Sequence, residues 1–158
     1  MMLRIVSVLI LTLVVQHTFS QNQRYQIKYL EEKDGIKIYE GQPVTGIVYD
    51  VFDNGNMKYE SHYKDGLMEG DFIRFFSNGN KYIQATFHTG DTVGVFKTRY
   101  KDEIIREEIN FNEKGQRHGT QSRFYPDGTK RTVWVWEDGV CMEKWIYKEG
   151  KLMSRKKL

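Results

Sequence analysis

The 158-residue sequence contains a single cysteine, Cys141, and only two prolines. One thiol allows neither an intramolecular disulfide nor a zinc site built from several cysteines. The near absence of proline, together with 14% aromatic residues, favours strands over helices. A domain without disulfides must be held together by its hydrophobic core.

An excess of one charge is also missing. The formal net charge is +3, which is too small to indicate binding to nucleic acid, so we predict no nucleic-acid partner. The hydrophobic fraction of 39% and the charged fraction of 28% are ordinary for a soluble protein. The length is that of one domain.

The sequence has one long apolar run, at its start. Arg4 precedes residues 5–15, which are apolar apart from two hydroxyl residues, and a short polar stretch ends at Ser20. This order predicts a signal peptide over residues 1–20, cleaved between Ser20 and Gln21. A retained anchor is the alternative, but 11 apolar residues are few against the ~20 that span a membrane. We therefore expect an exported protein, periplasmic or extracellular if the source is bacterial.

Two consecutive 24-residue segments share one pattern, the first opening on Gly46 and the second on Gly70. Each continues to an Asn-Gly pair, then to an aromatic residue, then to another glycine turn. Looser copies open on Gly94 and Gly119, so the periods are 24, 24 and 25 residues. Asn-Gly and Asp-Gly pairs accept the positive φ angles of tight hairpin turns, and about seven residues between turns is a normal strand length.

These turns predict an all-β fold, an elongated antiparallel β-meander of repeated hairpins with about 24 residues per repeat. We expect about ten strands and no helix after the leader. Alternation within the second strand of each repeat predicts one apolar face. Its members are Tyr59, Ser61, Tyr63, Ile83, Ala85, Phe87, Ile109, Phe111, Trp134, Trp136, Trp145 and Tyr147.

The flanking segments are expected to differ from the repeats. Residues 21–45 are interpreted as an N-terminal capping half-repeat with a short strand over residues 25–29, and residues 46–150 as the hairpin array. Residues 151–158 form a basic tail, which we expect to be a frayed, solvated end. The alternative is contact with an anionic membrane surface through the basic residues Lys151, Arg155, Lys156 and Lys157.

The third repeat departs from the pattern because Glu103 replaces its turn glycine. A glutamate at positive φ is unfavourable by about 1 kcal/mol or more. The segment that follows is one residue longer than in the other repeats. We therefore predict a wider turn or a bulge that avoids positive φ at Glu103.

The repeat resembles the MORN repeat, and most closely its bacterial variant family. The segments that carry the resemblance are YKDGLMEG (63–70), FHTGDTVG (87–94), FNEKGQRHG (111–119) and FYPDG (124–128). The resemblance implies an elongated β-meander and a non-enzymatic role. Relatives are associated with protein scaffolding, with phospholipid contact or with an antitoxin function.

No set of residues converges on catalysis, a cofactor or a metal, so we predict no enzyme. The histidines His62, His88 and His118 occupy different places in the repeat and lack metal-ligand spacing. Glu107 and Glu108 are neighbours on one strand and therefore face opposite ways. Cys141 is interpreted as a small buried hydrophobic residue.

The sequence therefore predicts an exported protein-binding or scaffolding module. The alternatives are an envelope glycan-binding or glycoside-acting protein, or a MORN-type antitoxin component. We predict the binding surface near the C-terminal end, at Trp134, Trp136, Trp145 and Tyr147, because tryptophan and tyrosine are enriched in binding hot spots. The alternative is that these rings close the core where the array ends.

Overall fold

The computed structural model describes residues 23–158, so the predicted leader and its cleavage site lie outside the described residues. Apart from a single 3₁₀ turn at Ile27–Tyr29, this part of the chain forms strands and turns, and the predicted all-β class is confirmed. None of it is a helix long and apolar enough to cross a membrane. The strands are β1 Arg24–Gln26, β2 Glu31–Lys33, β3 Ile36–Tyr39, β4 Gln42–Pro43, β5 Gly46–Val51, β6 Met57–Lys64, β7 Leu67–Phe75, β8 Lys81–His88, β9 Asp91–Arg99, β10 Ile105–Phe111, β11 Arg117–Phe124, β12 Lys130–Glu137, β13 Val140–Lys148 and β14 Lys151–Lys157.

The strands form two sheets. The main sheet has eleven strands in the order β1-β5-β6-β7-β8-β9-β10-β11-β12-β13-β14. From β5 onward each strand pairs antiparallel with the next, which is the predicted meander, and the sheet does not close on itself. The number of strands exceeds the predicted ten because the N-terminal segment forms four short strands, β1 to β4, and the basic tail forms β14.

The N-terminal segment does not continue the meander. The predicted strand over residues 25–29 breaks after Gln26 into the 3₁₀ turn, and β1 pairs in parallel with β5. The main buried cluster lies where this segment packs on the sheet: Val44 is 1% exposed, Val48 0% and Tyr63 8%. The segment therefore covers the sheet around β5 to β7 and also adds the short parallel strand β1 to the edge of the main sheet.

Strand register defines two faces of the main sheet. One row of directly opposed residues runs Val48–Ser61–Phe72–Ala85 across β5 to β8, and a second runs Phe96–Ile109–Gln121–Trp134 across β9 to β12. We call this side the aromatic face, and the other side the opposite face. Five members of these rows are buried: Val48, Ser61, Ala85, Ile109 and Gln121.

The turns alternate between two forms. In the turn from β5 to β6, the Phe52 amide donates to the Asn56 carbonyl and the Gly55 amide donates to the Phe52 carbonyl. The turn from β6 to β7 has only Asp65 and Gly66 at its tip, both at positive φ (50° and 81°). Positive φ at both central residues is the geometry of type I′ hairpins, which explains the Asp-Gly pairs.

Neighbouring turns are tied to one another along one side of the array. The side-chain Nδ2 atoms of Asn54 and Asn56 both donate to the backbone carbonyl of Ser77, one repeat further on, at 2.9 Å. In the next repeat, the side-chain Nδ2 of Asn80 donates in the same way to the backbone carbonyl of Lys101 at 2.8 Å. These bonds link each repeat to the next, as expected of a fold in which a single repeat is not stable alone.

The prediction for Glu103 was wrong. Its φ is +68°, so the residue adopts the left-handed conformation in the same turn form as the glycines of the other repeats. The Glu103 amide donates to the Tyr100 carbonyl at 3.0 Å, as the Gly55 amide does to Phe52. The extra residue instead lies in the next turn, where residues 112–116 adopt the longer form in place of a two-residue tip.

The expectation of a frayed basic tail was also wrong. Lys151–Lys157 is β14, paired antiparallel with β13 from Lys148 to Glu143. Every residue of β14 is exposed, and Arg155 is bound to Glu143. The tail is therefore the eleventh strand of the main sheet.

Candidate functional site

The four aromatic residues predicted as a binding surface lie on two adjacent strands, β12 and β13. All four are half-buried. Trp134 lies opposite Lys144, and Trp145 lies opposite Val133, so Trp134 and Trp145 are on different faces of the sheet. The expectation that the two pairs lie side by side on one face was wrong. Trp134 and Trp136 belong to the aromatic face, and Trp145 and Tyr147 to the opposite face.

A bulge in β13 causes this inversion. Trp136 pairs with Cys141 and Val135 with Glu143, which leaves Met142 without a partner in β12. One extra residue moves every later side chain of a strand to the other face. In the hairpins β6–β7 and β8–β9 the strand register shifts by two residues at the corresponding position. A shift of two residues leaves every later side chain on its original face of the sheet.

The glycine that opens each repeat distinguishes the hairpins whose register shifts by two residues from the hairpin whose register shifts by one. Gly70 and Gly94 each lie four residues after a turn glycine and have positive φ angles of 92° and 65°. The equivalent position after Gly139 is Glu143. The missing glycine at 143 is the signal in the sequence that could have indicated a different register in the last hairpin.

A polar network supports Trp136 on the aromatic face. The Trp136 indole Nε1 donates to Gln121 Oε1 at 3.1 Å, and Gln121 Nε2 donates to Glu107 Oε1 at 2.6 Å. Arg123 Nε donates to the same Glu107 oxygen at 2.8 Å. Gln121 is only 4% exposed, and both its Oε1 and its Nε2 are hydrogen-bonded, so the buried amide holds the indole in place. No pattern in the sequence singles out Gln121, and Glu107 drew notice only as the neighbour of Glu108.

Cations stack on both indoles of the aromatic face. The Arg117 guanidinium lies 4.8 Å from the ring centroid of Trp136. Trp134 has the Arg123 guanidinium at 5.1 Å and the Lys144 ammonium at 5.7 Å. Each distance is within the range of cation–π attraction. The result is a layered surface of tryptophan and basic side chains, which we call the Trp–cation surface (Arg117, Arg123, Trp134, Trp136 and Lys144).

The opposite face carries a smaller cluster around Glu143. Its carboxylate accepts from the Trp145 indole at 2.8 Å and from Arg155 Nε at 2.8 Å, and Arg155 also stacks on the Trp145 ring at 5.1 Å. The hydrogen bond from Arg155, followed by that from Trp145, lowers the pKa of Glu143 to about 2. This cluster fastens β14 to β13.

The lowered pKa of Glu143 predicts that pairing of β14 depends on acidity. A carboxylate whose pKa is depressed on folding contributes stability above its ordinary value of 4.5, and that contribution is lost as the pH falls toward about 2. We expect the amide protection factors of β14 to decrease over this interval, measured by hydrogen exchange. Glu143→Gln should have low protection already at pH 7 and a flat profile. Unchanged protection in the wild-type protein down to pH 2 would contradict the role assigned to Glu143.

The remaining titratable groups do not converge. Over residues 23–158 no group of three or more His, Cys, Asp or Glu side chains is placed to hold a metal ion. His88 pairs with Glu69 at 3.0 Å and His118 with Asp138 at 3.2 Å, on separate strands. Glu107 and Glu108 point to opposite faces, as predicted, because Glu107 bonds Gln121 and Glu108 pairs with Lys97.

Cys141 is half-buried, and not fully buried as predicted. Its thiol lies 3.6 Å from the Glu143 carbonyl oxygen, to which it donates. It lies opposite Trp136 in the register of β12 and β13. The side chain therefore packs at the edge of the Trp–cation surface.

Comparison with known proteins identifies the repeat. Residues 44–65 match the family described as the MORN repeat variant, which confirms the resemblance carried by the sequence motifs. No curated protein matches this chain. Among solved structures, the chain is similar to a TarM mutant of S. aureus in complex with fondaparinux, alpha-GlcNAc-glycerol and UDP, with 15% identity and a TM-score of 0.37. The similarity covers 78% of this chain and 22% of that chain.

Proposed function

We propose, from the premise that this chain is a MORN-repeat protein, that it is a non-enzymatic binding module whose contact surface is the Trp–cation surface. A repeat protein of this kind exposes both faces of a single sheet over most of its length. Such extended surfaces suit binding to another macromolecule better than they suit the enclosed chemistry of an active site.

The composition of the Trp–cation surface is the observation that carries this proposal. Tryptophan and arginine are the residue types most enriched in binding hot spots. Trp136 is held by the buried Gln121, and Trp134 lies between two cations, so both rings are fixed before a partner arrives. Binding to prearranged side chains loses less conformational entropy.

Charge indicates the chemistry of the partner. Arg117, Arg123 and Lys144 contribute three positive charges to the surface, and Glu107 contributes one negative charge that is already bound to Arg123. An acidic protein segment with apolar side chains complements this surface. On the opposite face at the same strands, Glu143 and Arg155 are already paired with each other.

Affinity capture from the native envelope fraction tests this proposal. We expect Trp134→Ala and Trp136→Ala each to reduce capture of the bound protein by about 30-fold, since hot-spot truncations cost about 2 kcal/mol or more. Trp145→Ala on the opposite face is the matched control and should retain capture. Added salt should weaken capture by the wild-type protein. Equal losses in all three variants, or no loss in any, would contradict the proposed surface.

Export is the second part of the proposal, because the apolar run at the start of the sequence is typical of a cleaved leader. We expect the protein isolated from the producing cell to begin at Gln21. Intact-mass analysis of the envelope and medium fractions measures this directly. A mature protein that retains residues 1–20 would contradict it.

A further inference from the structure

A cleft of about 400 Å³ lies at the other end of the aromatic face, where the N-terminal segment covers the sheet. Ile27 of the 3₁₀ turn forms one side, and Tyr63, Met68 and Phe72 of the sheet form the floor. The volume is within the range of small-molecule sites, which are mostly apolar with a few polar groups. The Trp–cation surface is at the opposite end of the strand order, so the two sites are separate.

Three hydrogen-bond donors at the cleft have no partner within residues 23–158. Arg74 lies directly opposite Tyr59 in the register of β6 and β7 and forms no ion pair in this part of the chain. The hydroxyls of Tyr59 and Tyr63 likewise make no hydrogen bond there. Neither hydroxyl is among the buried unpaired atoms, a class represented in the described chain by Arg99 Nη1 alone.

The acidic groups at the cleft are already neutralised. Asp50 is bound by Lys58 at 2.8 Å, and Glu32 is bound by Lys37. Hydrogen bonds from these lysines lower the pKa of both carboxyls, so they remain ionised and paired near neutral pH. Burial raises the pKa of Tyr59 well above its usual value, which keeps its hydroxyl protonated as a donor. The charge left unbalanced at the cleft is therefore the guanidinium of Arg74.

The apolar floor favours a ring. Phe72 lies between Tyr59 and Phe87, with ring centroids 6.0 and 5.8 Å apart, and these distances are typical of aromatic pairs. Tyr59, Phe72 and Phe87 form a ladder of rings across β6, β7 and β8, and Tyr59 and Phe72 line the cleft. A planar ligand can add to this ladder, with its edge toward Met68.

We propose that this cleft binds a small aromatic carboxylate, with its ring against Phe72 and Met68 and its carboxylate on Arg74 and the Tyr59 hydroxyl. A guanidinium and a phenol hydroxyl are suitable donors for a carboxylate, and charge-assisted hydrogen bonds are the stronger kind. An amine of the same shape would face the uncompensated charge of Arg74. An amide of the same shape would still accept a hydrogen bond from Arg74 but would lose the ion pair and one of the two acceptor oxygens.

Calorimetric titration with naphthoate, and with naphthamide as its neutral equivalent, tests this site on the purified protein. We expect naphthoate to bind at least about tenfold more tightly than naphthamide, since a hydrogen bond to a charged group is worth about 1.5 kcal/mol or more. Arg74→Gln should remove this difference. Arg131→Gln is the matched control, because Arg131 stacks on Tyr125 at a distant turn, and it should leave both affinities unchanged.

Nuclear magnetic resonance locates the ligand independently of affinity. We expect the Met68 methyl signal to shift on addition of naphthoate, with the indole signals of Trp134 and Trp136 unchanged. The proposal is overturned if naphthoate does not bind, if both probes bind Arg74→Gln and wild-type protein equally, or if shifts occur only at the tryptophans. It is also overturned if contacts from residues 1–22 to Phe72 show that this segment already fills the cleft.

Discussion

Gly66→Ala should destabilise the protein by about 2–5 kcal/mol, whereas Gly55→Ala should cost only about 1–2 kcal/mol. Both glycines occupy hairpin turns at nearly the same positive φ, +81° and +84°. The conformational strain of an added side chain is therefore the same at the two positions. The difference between the two variants measures packing alone.

The packing at Gly66 involves the N-terminal segment. A Cβ atom at this position would overlap the Ile36 side chain and lie 2.9 Å from the Lys37 carbonyl oxygen, a backbone atom that cannot move alone. At Gly55 no atom lies within 4 Å of the added Cβ. Urea unfolding of both variants at equal protein concentration provides the comparison. Equal losses of stability would show that β3 does not pack on this turn.

Tyr63→Ala should destabilise the protein by about 3–5 kcal/mol, the range for removing a large side chain from a core. Tyr63 is 8% exposed and packs with Val44 and Val48 in the main buried cluster of residues 23–158. Its removal leaves a cavity under the N-terminal segment. The expected result is a lower midpoint of urea unfolding with an unchanged dependence on urea concentration.

Tyr29→Ala is the matched control for Tyr63→Ala. Tyr29 belongs to the same N-terminal segment but is 64% exposed. Substitutions at such surface positions usually change stability by no more than about 0.5 kcal/mol. If Tyr63→Ala were as mild as Tyr29→Ala, the cluster around Val48 would not be the core that holds the segment on the sheet.

The repeated glycines made most of the fold predictable from the sequence. Each hairpin is encoded locally, by a turn pair at its tip and by alternation in its strands, so the meander follows without knowledge of distant contacts. The apolar face was predicted correctly from Tyr59 to Trp136 for the same reason. In the hairpins after Gly66 and Gly90, the irregularity beside each opening glycine adds two residues to one strand. Each side chain therefore stays on the face that alternation predicts.

The errors occurred where tertiary contacts override local signals. The bulge at Met142 inverts the rest of β13, which separates Trp145 from Trp134, and only the missing glycine at 143 indicates it. Glu103 adopts positive φ in a turn closed by two backbone hydrogen bonds of Tyr100, one to Glu103 and one to Ile104. The separate sheet of β2 to β4 depends on packing against Gly66, which periodicity does not reveal.

The candidate surface was predictable in residue type but not in geometry. Clustering of the three tryptophans identified the C-terminal hairpins as the richest in hot-spot residues. Their division between two faces, and the cations that stack on them, come from cross-strand neighbours such as Arg123 and Lys144. These neighbours are distant or unremarkable in the sequence, so the Trp–cation surface required the structure.

Site-specific photocrosslinking in the producing cell is the most direct test of the binding surface. A photoreactive benzoylphenylalanine in place of Thr132, opposite Arg123 and two residues before Trp134, lies beside the Trp–cation surface and leaves both tryptophans in place. The same group in place of Glu60 lies on the opposite face at β6. We predict a discrete crosslinked adduct from position 132 and none from position 60. Adducts from position 60 alone, or from neither position in cells that produce the protein at its normal level, would contradict binding through the aromatic face.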